Sequence, residues 1–575
     1  MKQNTRLNLI FILILITVIL AVFLPSMKGD FLWDDKYFIS ENPYIQGPHF
    51  LKNVLITPFG GLSGTDENSI RLDRWKQFYR PFSSLSYWLD CKIWGFNPAG
   101  FHLTNILIQM INTILLYFIL LNIGLKPVAS FFSSMLFSVF PFHFENVSWI
   151  SGRTDILSFL FVAFSVLFFL KFLKRKNYTF LILSSLLYLC SLLSKESNIF
   201  LIVVYFFILY KRAPKFKESV VSMIPFGLGF LVWVILRCIA LGVRTFEYSG
   251  RTLFDFFSTI GFYTIRILFP FNLSFTVDSY DVFMNVLFQI LGAIIFLLFI
   301  VSTILLLKKN SKYVLSILAF FSFCLFLLPS VVIIFSSATT SLIAWRFLYL
   351  PSALFVSYLV WVLFKKIKYK SISIIFLSLL CIFYSVEIYP KNIAFGKNET
   401  DFWLSFKNID LEDMITKFNV GVIYLPKDEK KALEIFNDIL SQKEHHRHKI
   451  YEVKIYENLA RYYTFKKNFK MAEEYFNKLL EIRRYQSQHF RFTYAYFLAF
   501  QEKISDGEKI VREMLNLFPE NHLILFHSAL FYMIIENYEK AAELLTKDYE
   551  LFPTRETLRF LKKLEEQRKQ TTSDS

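Results

Sequence analysis

Eleven runs of this chain are almost wholly apolar, and they constrain its fold more than any other feature. They lie near residues 8–25, 103–123, 127–142, 156–173, 178–193, 198–210, 219–241, 284–307, 313–335, 347–364 and 371–389. A bilayer core is crossed by about 20 helical residues, and by fewer where the helix or the bilayer adapts. Backbone N–H and C=O groups find no water there, so spans of this kind must be helices. A soluble core is excluded by the 69 Phe that the chain carries. The first run follows Lys2 and Arg6 and has no small-x-small cleavage site behind it, so it reads as a retained helix rather than a removed leader.

Charge sets the orientation. The net charge is +17, and residues 1–389 hold 33 basic against 17 acidic side chains, whereas residues 390–575 hold 30 against 29. The excess therefore belongs to the apolar half, which argues against nucleic acid as a partner. Its clusters are Lys2/Arg6, Lys126, Lys171/Lys174/Arg175/Lys176, Lys211/Arg212/Lys215/Lys217, Lys308/Lys309/Lys312 and Lys365/Lys366/Lys368/Lys370. If all of these are cytoplasmic, eleven spans alternate without conflict, provided that 256–271 does not cross. That run is short, contains Arg266 and is flanked by Asp255 and Pro270, so it reads as an interfacial helix. The N-terminus is then cytoplasmic. Loop 26–100, the other external loops and everything after 389 face the far side, with a bacterial inner membrane and a periplasmic tail as the expected setting. The five cysteines, Cys91, Cys190, Cys238, Cys324 and Cys381, form no CxxC pair and read as packing residues.

Beyond Pro390 the composition turns polar and a period near 34 appears. Ala460, Ala495 and Ala529 recur, as do Ala472, Gly507 and Ala541, and Pro519 and Pro553. Tyr456, Leu459, Tyr463, Phe476 and Leu479 complete the large-and-small pattern of a tetratricopeptide repeat. Repeats are expected near 453–486, 488–521 and 522–555, with a degenerate one near 414–445. The groove of such an α-solenoid suits a peptide or protein segment. The His445-His446-Arg447-His448 cluster reads as a polar linker rather than a metal site, since no acidic or Cys partner stands near it in sequence.

Polar groups of both signs return repeatedly to the external side. Asp34-Asp35 follows the first span. Arg80 closes the first loop, and His102 starts the second span. His143 and Glu145 follow the third, Arg153 and Asp155 open the fourth, and Lys195-Glu196 forms the next external turn. Arg346 and Tyr349 open the tenth. Interfacial anchoring explains any one of these, but it favours lone Lys, Arg, Trp or Tyr rather than acids and His together. An acidic pair beside an aromatic can bind a divalent cation, or one acid can be a general base whose pKa its neighbour raises. Arg and Lys suit a phosphate. A donor that is both phosphorylated and membrane-borne is a polyprenyl phosphate, and the carboxylates suit deprotonation of an acceptor hydroxyl.

Read in order, WDD, YRPFSSLSYWLDCKIWGFNPAGFHLTN, PFHFENVSWISGRTDILS, SKES and RFLYLPS, followed by repeats, resemble the transmembrane and tetratricopeptide-repeat (TMTC-type) O-mannosyltransferases. These belong to the GT-C glycosyltransferases. The resemblance implies an all-α polytopic domain of about 11 transmembrane helices over 1–389, with an extracytoplasmic repeat domain over 390–575. It further implies inverting transfer of a sugar, mannose in the family, from a polyprenyl-phosphate donor to a protein or glycan acceptor held by the repeat groove. By motif, Asp34 or Asp35 would be the catalytic base, with Asp34 favoured. Arg346 would bind the donor phosphate, with Arg80, Lys195 and Tyr349 beside it. His102, His143, Glu145, Arg153, Asp155 and Glu196 would support the site. Two positions depart from the family pattern: Phe140 stands where a first His is usual, and Trp345 where an acid is usual. The carboxylate pair leaves a divalent cation open. Two other readings stand beside this one. An O-antigen ligase or polymerase-like enzyme would need a large late external loop, which 336–346 is too short to be. A non-enzymatic scaffold displaying repeats would tolerate substitution of the polar set.

Overall fold

The computed structural model describes the chain except for residues 1, 41, 47–49, 60–77, 213–215, 243–252, 272, 274–276, 278–281, 283–284, 309–342, 407–413, 443–447, 483–487, 552–556 and 565–575. Among the described residues the regular structure is helical, without strands. The expected span 313–335, most of loop 336–346 and the residues 445–447 of the histidine cluster lie outside them. The chain divides into two compact units, one of residues 1–35 and 78–402, the other of 36–77 and 403–575.

In the first unit α1 (Lys2–Phe23), α2 (Pro81–Trp94), α3 (Pro98–Asn122), α4 (Pro127–Ser138), α5 (Arg153–Arg175), α6 (Tyr178–Ser194), α7 (Leu201–Arg212), α8 (Phe216–Leu241), α9 (Leu253–Leu268), α10 (Val286–Lys308), α11 (Tyr349–Lys366) and α12 (Lys370–Phe395) follow in order. Six described segments are long and apolar enough to cross a bilayer, and a seventh is the bent pair Pro127–Ser138 with Pro141–Ser148; α6, the segment Glu196–Tyr210 and the start of α10 are shorter apolar helices. The chain is an integral membrane protein. Val220, Ile224, Leu228 and Leu231 of α8 and Ile375, Leu379, Ile382 and Val386 of α12 are exposed on the unit's surface, as lipid-facing residues should be, since lipid and not water covers them.

Polar residues line helix interiors at helical spacing. On α2, Ser83, Tyr87 and Asp90 are buried together; on α3, Asn105, Gln109 and Asn112 are. Positions i, i+4 and i+7 share one face, so each helix carries a polar stripe toward its neighbours. The α3 stripe accounts for itself: Asn105 Nδ2 donates to the carbonyls of Val147, Trp149 and Ile150, and Asn112 Nδ2 to that of Ile156. The three Asn105 bonds satisfy backbone groups of the broken segment between α4 and α5, and the Asn112 bond reaches the first turn of α5.

The ends of α1 and α12 meet without room for a side chain. A Cβ on Gly29 would stand 1.9 Å from the Phe395 carbonyl oxygen, and one on Gly396 2.2 Å from that of Pro25. Asn392 Nδ2 donates to the Val22 carbonyl at 2.9 Å, and Ser148 Oγ donates to Asn392 Oδ1 at 2.7 Å.

Most of the run 256–271, expected to lie in the interface, belongs to α9, which packs lengthwise on α10. Phe262 meets Phe288, and Phe256 and Phe257 meet Phe296, so the two helices run antiparallel. Gly261 and Gly292 allow the approach, each facing a carbonyl oxygen of the other helix, those of Phe288 and Phe257. The glycines and the phenylalanine face dictate this helix-on-helix contact.

The second unit holds four helical hairpins: α13 (Met414–Tyr424) with α14 (Glu429–Ser441), α15 (His448–Phe465) with α16 (Phe469–Glu481), α17 (Gln488–Phe500) with α18 (Ile504–Leu517), and α19 (His522–Ile534) with α20 (Tyr538–Leu551). Each hairpin packs on the next. A small buried residue sits at each crossing: Ala432, Ala472, Gly507 and Ala541. The turns repeat as well. Lys467, Glu502 and Glu536 all adopt left-handed backbone angles, φ 59, 62 and 60°, ending the first helix of their hairpins in the manner of a left-handed C-cap. Asn468 and Asp428 cap the helices that follow.

Gly29 has an extended backbone that alanine tolerates, so only space opposes a side chain there. Gly29→Ala should lower the melting midpoint of the detergent-solubilised protein by several degrees, corresponding to about 1–3 kcal/mol of overpacking. Gly227→Ala, which meets nothing within 4 Å, should leave it unchanged or raise it.

Candidate active site

The acid turn begins where α1 ends. Leu32 N–H donates to Asp35 Oδ2 at 3.0 Å and Asp35 N–H to the Leu32 carbonyl at 2.9 Å, closing a tight loop around Trp33. That loop forces Trp33 to φ 50°, a region costly for a bulky side chain, on the order of 1–3 kcal/mol. The other carboxylate oxygen of Asp35 accepts from Ser151 N–H at 2.7 Å and from Ser151 Oγ. Asp35 is thereby 1% exposed, whereas Asp34 is half-buried. Burial pushes the Asp35 carboxyl from its ordinary 3.8 up to about 7; its three donors oppose the rise and the Asp34 charge adds to it. The two neighbouring acids therefore occupy different environments. Both oxygens of Asp35 are engaged by protein donors. Among the described residues no group of three or more His, Cys, Asp or Glu gathers as a metal cluster.

The cationic arm comes from the turn before α11. Arg346 pairs with Glu145 through its Nη1 and through its own backbone N–H, which donates to Glu145 Oε2 at 2.9 Å. Asn146 Nδ2 returns a bond to the Arg346 carbonyl at 3.1 Å. The guanidinium lies 5.3 Å from the Trp149 ring and 5.4 Å from that of Phe347 and keeps 23% of its side chain exposed. Lys195 pairs with Asp155 and stands 5.0 Å from the same Phe347 ring; burial lowers the ammonium, with Asp155 opposing. Arg80 grips Glu196 with two bonds, Nε at 3.0 Å and Nη2 at 2.6 Å. Burial alone would raise the Glu196 carboxyl, but the Arg80 guanidinium outweighs it and holds it down to about 2.

α9 braces this arm. Tyr263 Oη bonds both the N–H and the carbonyl of Ala344 at 3.1 Å. Trp345 stacks between Phe142, at 5.0 Å and 4°, and Phe262, at 5.6 Å and 27°. The departure at Trp345 is thus a packing solution. Phe140, the other departure, is buried against Tyr384 at 5.2 Å.

Four further side chains of the expected set, His143, Tyr349, Arg153 and His102, are buried in the interior. His143 Nε2 bonds Ser352 Oγ at 3.0 Å. Tyr349 donates to Gln109 and accepts from Asn112 at 3.0 Å. Tyr349 was expected beside the donor phosphate, but one helical turn of separation aims it away from Arg346 and into the core. Arg153 is fully buried: it pairs with Asp90 at 2.6 Å and donates to Asn105 at 2.6 Å and to the Phe101 carbonyl at 2.9 Å. His102 is buried at the start of α3. Reading motifs missed Asp90, Gln109, Asn112, Trp149 and Ser151. The polar stripes at i, i+4 and i+7 mark the first three, whereas nothing in sequence marks Trp149 or Ser151 as partners of the acid turn.

Comparison with known proteins gives the same direction. Residues 81–238 match the family described as dolichyl-phosphate-mannose-protein mannosyltransferase. Protein O-mannosyl-transferase F38B6.6 of Caenorhabditis elegans is 30% identical over 227 residues, 38% of this chain and 31% of that protein. Human protein O-mannosyl-transferase TMTC1 is 30% identical over 190 residues, 30% of this chain and 20% of its own length. In human TMTC4 the identity is 32% over 177 residues, 28% and 23%. The chain thus resembles the TMTC-type proteins and spans under a third of the length of each of these three relatives.

Two measurements check the electrostatics. Asp90→Ala leaves Arg153 charged, buried and unpaired, and should cost about 3–5 kcal/mol, read as a large fall in melting midpoint. For Asp35 the folded state holds its proton more tightly than the unfolded one. Stability from this group is therefore greatest below the ordinary carboxylate value near 3.8 and is lost as pH rises to about 7. Asp35→Asn should remove that slope between pH 4.5 and 8, whatever it does to the absolute midpoint.

Proposed function

We propose that this protein is an integral-membrane glycosyltransferase. It moves a sugar, mannose by analogy with the activity its relatives are named for, from a polyprenyl-phosphate donor to a hydroxyl of a protein acceptor. The observation that carries this reading is the meeting of an acid turn and a cationic arm: Asp35 is clasped to Ser151, and Trp33 stacks on Trp149 at 5.7 Å beneath the Arg346 guanidinium. Acid and arginine from opposite ends of the first unit thus share one wall.

In this mechanism Asp35 positions and Asp34 reacts. The half-buried Asp34 carboxylate takes the proton of the acceptor hydroxyl as its oxygen bonds to the anomeric carbon. The bond from that carbon to the phosphate oxygen breaks, and its electron pair leaves with the polyprenyl phosphate. Arg346 meets the growing negative charge, a role for which a preorganised guanidinium in a water-poor site is well suited. Glu145 holds the arginine in place through both its side chain and its backbone. Arg80 and Lys195, already neutralised by Glu196 and Asp155, shape the field behind it. Attack opposite the leaving group inverts the anomeric centre. The four helical hairpins, read as tetratricopeptide repeats, present the acceptor segment. With the basic clusters cytoplasmic, the site and the repeats face the extracytoplasmic side, in the periplasm if the membrane is a bacterial inner one.

In a purified assay with lipid-linked mannose and an acceptor peptide, Asp34→Asn should lower kcat by about 10²–10⁴-fold, the range for loss of a general base, with an unchanged melt. Arg346→Gln should lower kcat and weaken donor binding. Full transfer by both variants would overturn the mechanism.

A further inference from the structure

Trp149 occupies the layer between the two halves of the candidate site. Its ring lies 5.3 Å from the Arg346 guanidinium and is stacked on Trp33 at 5.7 Å and 20°. It is 3% exposed, and the carbonyl of Trp149 is fixed by Asn105 Nδ2 at 3.2 Å. The indole N–H, however, is buried with no hydrogen-bond partner among the described residues. An unmet buried donor costs on the order of 1–3 kcal/mol, and folded proteins keep few of them. Phenylalanine would supply the same stack without that cost. Trp233 Nε1 is likewise buried without a partner, but that ring belongs to α8 and touches neither the acid turn nor Arg346 in any stacked or cation–π pair found among the described residues.

We propose that Trp149 contacts the substrate: its indole N–H donates to an oxygen of the donor's phosphate as that group settles against Arg346. The assignment rests on the glycosyltransferase reading and extends it to a residue outside the acid turn and the cationic arm. The phosphate is favoured over the sugar because the arginine drawing the anion lies against the same ring. Trp33, strained and stacked on Trp149 from the acid-turn side, then links the presence of the lipid phosphate to the posture of Asp34.

The test uses full-length protein in nanodiscs and two ligands, polyprenyl phosphate and polyprenyl-phosphate mannose, with affinity measured by thermophoresis. Trp149→Phe keeps the ring and removes the donor. It should bind both ligands about tenfold or more weakly, as for a lost bond to a charged group, with a melting midpoint equal to or above that of the wild type. Equal affinity for both ligands overturns the assignment while leaving the enzyme reading intact. Weakening confined to the sugar-bearing ligand also overturns it, moving the contact to a sugar oxygen. A wild-type protein that binds neither ligand overturns this inference and the reading beneath it together. Should Trp149→Phe lose its cooperative melt, ¹⁵N-indole-labelled wild type supplies the second readout. The Trp149 Nε1–H resonance should shift on addition of polyprenyl phosphate, and an unmoved resonance overturns the proposal.

Discussion

A guanidinium with no access to water governs the first unit. Arg153 begins α5, and its charge is met by Asp90 of α2, by the Asn105 amide of α3 and by backbone carbonyls at Ser86 and Phe101. Such a group tolerates no vacancy among its partners, because an unpaired charge away from water costs far more than any single packing contact. Three helices are thus referred to one point. The residues just before it, Ser151 and Trp149, then fall where the acid turn can use them, one as a hydrogen-bond donor and the other as a stacking surface. The same rule repeats outward with falling burial: Lys195 with Asp155, Arg80 with Glu196, and Arg346 with Glu145. Only the last of these cations keeps a substantial part of its side chain open.

Strain and support are paired at the acid turn. The left-handed Trp33 would relax if the turn were free to open. Two backbone bonds to Asp35, the Ser151 clasp and the Trp149 stack prevent it. The result is a split in environment between two identical, adjacent side chains: Asp35 is buried and clasped, whereas Asp34 is half-buried. Sequence proximity alone would have left the two acids interchangeable.

The apolar helices and the C-terminal helical hairpins were legible because each leaves a pattern in the sequence: continuous apolar runs for the former, and recurring small and aromatic positions for the latter. The left-handed turn residues Lys467, Glu502 and Glu536 add a conformational period that lysine and glutamate do not announce in sequence. Part of the candidate set was legible as neighbours. Arg346 with Glu145 and Lys195 with Asp155 meet around the Phe347 ring. Tyr349 and His143 do not join them, since a residue at a span end can face either the opening or the core, and the choice depends on neighbours such as Gln109, Asn112 and Ser352. The brace from α9 was hidden for a related reason. Its arginine and flanking acid dominate a hydropathy reading, while its effect on the site comes from Tyr263 and Phe262, whose partners lie about 80 residues away in sequence.

The two glycine contacts that join the ends of α1 and α12 also tie remote parts of the chain together. Both helices are long enough to cross a bilayer, and it is their C-terminal ends that touch, at Gly29 and Phe395 and at Pro25 and Gly396. Each glycine faces a backbone carbonyl of the other segment, so the junction is backbone on backbone and leaves no side chain free to adjust. An error at either position would therefore be felt at both ends of the first unit at once.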